Sequence, residues 1–345
     1  MKIAFVGNYQ YYCGSSNTLL SYVRAGKRLG YDIRASEFGY IDKTIRQLVP
    51  IANKSWDPDL LIIVYESYPF LSDNNLNEIR KRIPRSKIII IDPDCKYLKP
   101  CVLENDSNHP TPHSYKHWTK LYDSLSDIIL QPTLNKITKK KVHKFIYFGI
   151  DVKDNYASIK KDFDFLYVGN NWFRWNDIYQ FVNSISSIRS KLKRIAVMGR
   201  YWDEKVMKGY EKATYSNLKF LEKNNIEILT SAPYGEVESS ISRGSISPIL
   251  VRPVLNKLKL VTPRMLETFA ANTVAIIPKY FTHSLDLYGK DAEKLFLSDY
   301  PEEDILKILK NYGKYSRIHK NIRNKLINKH SYEIRLKELM KFVRN

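Results

Sequence analysis

Arg264 and Glu267 stand three residues apart in TPRMLETFAANTVAII, residues 262–277. Thr262 is a good helix N-cap and Pro263 is favoured at the first helical position, so the spacing predicts a helix with Arg264 in its first turn. That turn offers free N–H groups and the positive end of the helix dipole to an anion. A guanidinium there adds a bidentate ligand for phosphate. Glu267 lies on the same face and can accept hydrogen bonds from a ribose diol. Together they describe a site for a nucleotide diphosphate. For the pair taken alone, a capped helix with a surface arginine is the plain alternative.

Other residues with chemical potential follow apolar runs. In the first half they are Asn8, the loop Gly14-Ser15-Ser16, Glu66, and Asp92 with Asp94. In the second half they are Gly169, Arg174, Gly199 and the stretch from Ser231 through Tyr234 to Gly235. Transfer to a hydroxyl needs a carboxylate within hydrogen-bond reach of it. Asp94 is placed ahead of Asp92 for that task, with Glu66 as the rival; strand-end carboxylates also serve as caps and turn formers. Arg174 and Arg264 would neutralise a leaving diphosphate without a metal. His109, His113 and His117 read as a solvated or acceptor-facing loop rather than a metal cluster. Cys13, Cys95 and Cys101 lack metal spacing and read as reduced thiols. No metal and no resident cofactor are expected. Trp172-Phe173-Arg174-Trp175 either stacks on a base or sugar or pins a helix to its sheet. Lys139-Lys140-Lys141 reads as a solvated turn that could touch phosphates or anionic lipid.

These residues need elements that position them. Strands alternate with helices, and the apolar runs (DLLIIVY, KIIIID, DFDFLYV) are continuous rather than alternating, which signals parallel sheets covered on both faces. In such α/β sheets ligands bind at the carboxyl ends of strands. A helix is expected over 176–192, a strand over SPILV and a loop over YQYYCGSSN. A chain of 345 residues suits two domains. The rhythm restarts near residue 152, giving expected domains at 1–152 and 153–325, with a last helix at 326–345. MKIAFVGNYQ reads as a first strand rather than a signal peptide, and no run of about 18 apolar residues suggests a membrane span. A cytoplasmic protein is expected, with peripheral contact at the inner face of an anionic membrane as an extension. The net charge of +20 implies attraction to polyanions. A usage rich in Lys, Asn, Ile and Tyr, as in AT-rich genomes, is the competing explanation of that charge.

TPRMLETFAANTVAIIP resembles the donor-binding helix of group-1 glycosyltransferases of GT-B architecture, roughly R-x-x-E-x-x-A-x-x-x-x-x-I. KIAFVGN…GSSNTLLSYVRAGKRLGYDI looks like the first strand, glycine loop and helix of that superfamily, and FIYFGIDVKDNY looks like its linker. NKHSYEIRLKELM is similar to the H-x-Y-x-x-R ending of the spore-maturation-protein-like branch. A weaker likeness to T-even phage DNA β-glucosyltransferases would place Asp94 on the base, Gly169 and Arg174 in the phosphate region, and Arg264 and Glu267 on the donor. Many retaining relatives carry a glutamate eight positions before the donor glutamate; here that residue is Lys259.

The resemblance implies α/β architecture with two Rossmann-like doubly wound domains facing across a cleft and a C-terminal helix crossing back. It implies transfer of a sugar from a nucleotide-diphosphate sugar, first a UDP sugar, to an acceptor hydroxyl. A cell-surface glycan or lipid-linked precursor is placed first as acceptor, and a hydroxymethylated base in DNA second. A non-catalytic nucleotide-sugar or DNA-binding module and a nucleotide-sugar epimerase are the remaining alternatives.

Overall fold

The computed structural model describes residues 1–10, 14–66, 69–97, 115–151 and 156–343. Cys13, Cys101, His109 and His113 lie outside the described residues. The chain folds into two compact units. One comprises Met1–Asp151, Lys257–Pro263 and His330–Asn345; the other comprises Val152–Asn256 and Arg264–Lys329.

The first unit is built from β1 (Lys2–Val6), β2 (Asn8–Tyr9), α1 (Gly14–Leu29), β3 (Asp32–Ser36), β4 (Tyr40–Ile41), α2 (Lys43–Leu48), β5 (Ile51–Ala52), β6 (Leu60–Val64), α3 (Asp73–Arg82), β7 (Ile88–Ile91), α4 (Tyr115–Asp123), β8 (Ile128–Gln131) and β9 (Val142–Lys144). Seven strands form a sheet in the order β5-β3-β1-β6-β7-β8-β9, and every pairing in it is parallel. All residues of β6 and β7 are buried, as their unbroken apolar sequences require. One face packs Ala4, Val6, Ile63 and Ile90 against Leu76 and Ile79 of α3 and Trp118 and Tyr122 of α4. Side-chain caps start α2 and α3: Asp42 accepts from the Ile45 N–H, and Ser72 from the Asn75 N–H.

The second unit contains β10 (Phe163–Val168), α5 (Trp175–Ser184), β11 (Ile195–Met198), α6 (Glu211–Thr214), α7 (Leu218–Lys223), β12 (Ile226–Leu229), α8 (Val237–Ile241), β13 (Gly244–Pro248), α9 (Pro253–Lys257), α10 (Pro263–Ala270), β14 (Val274–Ile276), α11 (Leu285–Tyr288), α12 (Pro301–Lys310) and α13 (Tyr312–His330); α9, α10 and α13 each end or begin in segments of the first unit. Its five strands run parallel in the order β12-β11-β10-β13-β14. The final helix, α14 (Tyr332–Lys341), belongs to the first unit and packs on α1, where Tyr332 meets Tyr22 edge-on at 5.2 Å. In each sheet the strand order reverses once, between β1 and β6 and between β10 and β13. Those are the switch points at which doubly wound sheets bind ligands.

Three local expectations change. Gly14, Ser15 and Ser16 form the first turn of α1 rather than a loop; Ser16 Oγ donates to Gln10 O at 2.5 Å and Thr18 Oγ1 to Gly14 O, which fastens that turn. The expected helix over 176–192 is α5 followed by a 3₁₀ turn, Ser186–Lys191, because the serines after Ile185 are weak helix formers. The strand expected at SPILV is Gly244–Pro248; its start pairs with β10, and Pro248 has no N–H to extend the ladder.

His319 of α13 holds the turn between α10 and β14. Its Nδ1 accepts from Ala275 N at 3.2 Å, so the proton sits on Nε2, which donates to Ala271 O at 3.1 Å. The ring stacks on Phe269 at 4.8 Å. Burial lowers its pKa to about 4. The unfolded chain takes up this proton near pH 6.5 and the folded chain only near 4, so stability is lost as pH falls through that window, by roughly 3 kcal/mol at most. Thermal melts of His319→Gln at pH 7 and pH 4.5 should show a smaller acid-induced drop in Tm than the parent protein. An equal drop in both would remove His319 from the acid response.

Candidate active site

At the carboxyl edge of the first sheet, Asn8, Glu66 and Asp92 follow three adjacent strands, β1, β6 and β7, in which Val6 pairs with Ile63 and Val64 with Ile91. Asp92 is fully buried. Its oxygens accept from the Tyr97 N–H at 3.0 Å, Tyr122 Oη at 3.2 Å and Gln131 Nε2 at 2.8 Å. Burial, and then the Asp92 charge, raise the Tyr122 pKa, so the phenol stays a donor. Asp92 is thereby engaged inside the fold, while Asp94 keeps its side chain 13% exposed.

Between them sits a residue the sequence reading passed over. Lys96 is fully buried; its Nζ donates to Tyr65 O at 2.5 Å, stands 3.5 Å from an oxygen of each of Asp92 and Asp94, and lies 5.1 Å from the Trp118 ring centre. A buried ammonium persists only when paired and hydrogen-bonded. Lys96 therefore ties the end of β6, beside Glu66, to the end of β7. The D-P-D-C-K spacing carried that signal. Cys95, between them, is buried, and burial followed by the charges of Asp92 and Asp94 pushes its thiol pKa well up, so it stays protonated.

Gly14, Ser15 and Ser16 lie at the start of α1, which follows the β1 end. Both serines are buried. A Cβ added at Gly14 would lie 3.2 Å from Cγ of Pro263, the first residue of α10. The basic turn is used internally: Lys139 Nζ donates to Tyr97 O, and Lys141 pairs with Asp123 and Asp127. His117 stacks edge-on with Trp118.

The second unit gathers its candidates at the carboxyl edge of the other sheet. Gly169 and Gly199 end β10 and β11. Gly199 has φ +147°, and a Cβ there would come within 2.3 Å of Gly169 O, so only glycine lets these two turns touch. Gly169 O also accepts from Trp202 Nε1 at 2.9 Å. Ser231 and Tyr234 occupy the half-buried turn between β12 and α8. Arg174 precedes α5; its Nη1 donates to Trp172 O at 2.9 Å. Its charge lowers the Asp177 pKa, which burial raises more strongly. Asp177 lines a cavity of about 210 Å³ with Phe181, Pro248, Leu250, Ile276 and Tyr280. Trp175 packs edge-on to Tyr215 and Phe220 and so pins α5, whereas Trp172 packs on Tyr210. Arg252, beyond β13, places its guanidinium 6.0 Å from the Phe173 ring centre. It too was missed from the sequence, although an arginine just past the apolar run SPILV was a usable sign.

Arg264 and Glu267 occupy the first turn and a half of α10, with Arg264 Nη1 3.3 Å from Glu267 Oε2. Their side chains are 17% and 10% exposed. Burial raises the Glu267 pKa, and the Arg264 charge opposes that rise. The helix around them is rigidly held. Met265, Leu266, Thr268 and Phe269 are fully buried, and Met265 O accepts from Tyr288 Oη at 2.9 Å. The pair thus combines a guanidinium fork, of the kind that can take a phosphate, with a hydrogen-bond acceptor, both largely desolvated. Among the described residues, no group of three or more His, Cys, Asp and Glu is placed to hold a metal ion, and no helix is long and apolar enough to cross a membrane.

No protein-family model and no curated protein sequence matches the chain. Solved structures do. An α-glucosyltransferase in complex with UDP and a 13-mer DNA containing a central A:G mismatch is similar over 100% of both chains, with TM-score 0.70 and 13% identity. An α-glucosyltransferase with UDP and a 13-mer DNA containing an HMU base is similar over 100% of this chain and 99% of that one, at TM-score 0.68 and 12% identity. T4 phage BGT in complex with its UDP-glucose substrate is similar over 100% of both chains, at TM-score 0.60 and 16% identity. The chain has the GT-B fold of these enzymes along its whole length.

Removing Arg264 would strand a buried carboxylate. Arg264→Ala should therefore cost several kcal/mol, about 3, of unit stability, and adding Glu267→Gln should restore part of it. Denaturant melts of the two variants give the comparison; equal stabilities would mean that the pair is not coupled in the fold.

Proposed function

We propose that the chain is a glycosyltransferase that moves a hexose from a UDP sugar to the hydroxyl of a hydroxymethylated base in DNA. The observation that carries this reading is the largely buried Arg264–Glu267 pair on the first turns of α10, in a chain of GT-B fold. In this reading the first turn of α10 and Arg264 hold the diphosphate, with Arg174 and Arg252 as further cations. Glu267 accepts from the ribose. Gly169, Gly199, Ser231 and Tyr234 form the rest of the donor-binding edge. Asn8, Gly14, Ser15 and Ser16 serve the acceptor or a phosphate. Asp94 takes the proton of the acceptor hydroxyl, whose oxygen attacks the anomeric carbon as the bond to UDP breaks. The arginines stabilise the charge that gathers on the departing diphosphate.

The choice of acceptor departs from the order expected from sequence. Similar structures hold UDP-glucose or UDP with DNA, which supports the DNA reading alongside the +20 charge. The ending that suggested a glycan acceptor has a packing role: Tyr332 meets Tyr22, and Arg335, 5% exposed, pairs with Glu338 at 3.0 Å. A glycan or lipid-linked acceptor at a membrane is the second reading, and the same donor site would serve it.

A UDP sugar should raise the Tm in a thermal-shift screen, because it binds only the folded state. Arg264→Lys keeps the charge beside Glu267 but loses the bidentate fork. It should weaken UDP binding roughly tenfold or more and leave uridine binding unchanged. Equal loss for both ligands would sink the phosphate role. Asp94→Asn should bind UDP normally and transfer no sugar to a hydroxymethylcytosine duplex. Transfer by that variant would move the base to Glu66; donor binding by the parent protein without transfer to DNA or glycan would mark a binding module.

A further inference from the structure

Between Asp304 and Glu333 the chain carries eight lysines and arginines and no acidic residue. At the chain's average of 36 acids in 345 residues, a stretch of this length would hold about three. An AT-rich composition raises lysine everywhere, but it does not clear Asp and Glu from one segment. The segment is mostly α13. Tyr315, His319, Ile322 and Leu326 form the stripe of α13 that packs inward. Every exposed residue of this helix is Lys, Arg, Asn or Gly. Lys325 pairs with Asp291 at 2.7 Å. Among the described residues, Lys314, Arg317 and Lys320 pair with no carboxylate; Arg317 Nε reaches Gly313 O at 3.4 Å, and Lys314 Nζ lies 5.9 Å from the Tyr315 ring centre.

We propose that the outer face of α13 is a docking surface for the phosphate backbone of a double-stranded nucleic acid. Nineteen helical residues extend about 28 Å, the span of roughly eight base pairs. Lys and Arg supply charge, and the interleaved Asn side chains supply the neutral donors that backbone contacts also use. A helix lying on a membrane needs large apolar side chains facing outward. Here the apolar stripe faces the unit's own core, so the chemistry favours nucleic acid over lipid. This surface goes beyond the sugar-transfer reading and does not depend on it, because it needs neither the donor nor a modified base.

The test is fluorescence anisotropy with an unmodified 24-base-pair DNA duplex across a salt series, without donor. Lys314→Gln/Arg317→Gln/Lys320→Gln should lose about tenfold in affinity at moderate salt, and its salt slope should fall by about 2 to 3. Lys212→Gln/Lys219→Gln/Lys223→Gln removes the same charge from exposed positions on α6 and α7 and should change affinity less than about twofold. Lys314→Arg/Lys320→Arg should bind as the parent does, which separates lost charge from lost folding. Equal loss in the two glutamine variants would mean that net charge alone acts, and no loss on α13 would discard the surface. If the α13 variant lost binding to phosphatidylserine vesicles and kept its DNA affinity, the face would belong to a membrane and the proposal would fall.

Discussion

The central strands of each large parallel sheet are buried on both faces, and the placement of the strand-end candidates follows from that. A strand such as β7, four isoleucines long, cannot carry a carboxylate along its length. On such central strands, polar side chains with a chemical role find room past the strand ends, where the backbone turns and the helices of the switch point stand apart. Asp92 is the limiting case. It stands one residue beyond β7, still inside the dry region, and so has to be surrounded by donors. Two residues on, Asp94 reaches the rim.

The same economy governs Lys96. Its ammonium group is buried because it satisfies three groups at once: a carbonyl at the end of β6 and the two aspartates after β7. A buried charge with this many partners is poor at adding net stability but strong at fixing geometry. It fixes the relation between the strand end that carries Glu66 and the turn that carries Asp94. In the second unit the corresponding precision comes from packing. Phe269 stacks on His319 and contacts Tyr288, Met265 O takes the Tyr288 hydroxyl, and the turn after α10 is clamped by both nitrogens of His319. Functional groups on rigid, supported elements hold a productive geometry better than groups on loops. Arg264 and Glu267 have that support.

The charge of the chain has structure of its own. Lys139 and Lys141, which look like a free basic turn in the sequence, are bound to a carbonyl and to two aspartates in the first unit. The lysines and the arginine on the outer face of α13 look like an ordinary charged helix, yet three of them have no carboxylate partner among the described residues. A run of like charge therefore cannot be interpreted from its composition. What matters is whether tertiary neighbours have neutralised it.

By itself the sequence determined the features that depend on near neighbours. Continuous apolar runs specified buried parallel strands, glycines marked the turns after β10 and β11, and the three-residue spacing of Arg264 and Glu267 put both side chains on one helical face. It also determined that a GT-B pattern runs from the first strand to the last helix. Tertiary structure alone decided which of the strand-end groups are used up internally. That Asp92 is consumed and Asp94 left at the rim depends on Tyr122 and Gln131, residues 30 and 39 positions away. That Arg252 lies by Phe173, and that Lys257–Pro263 joins the first unit through bonds from Leu134 N to Lys259 O and Val261 N to Pro132 O, depends equally on distant partners. Periodicity reports which face of an element is apolar. It carries no record of which distant donor will arrive there, and a buried polar group takes its role from that donor.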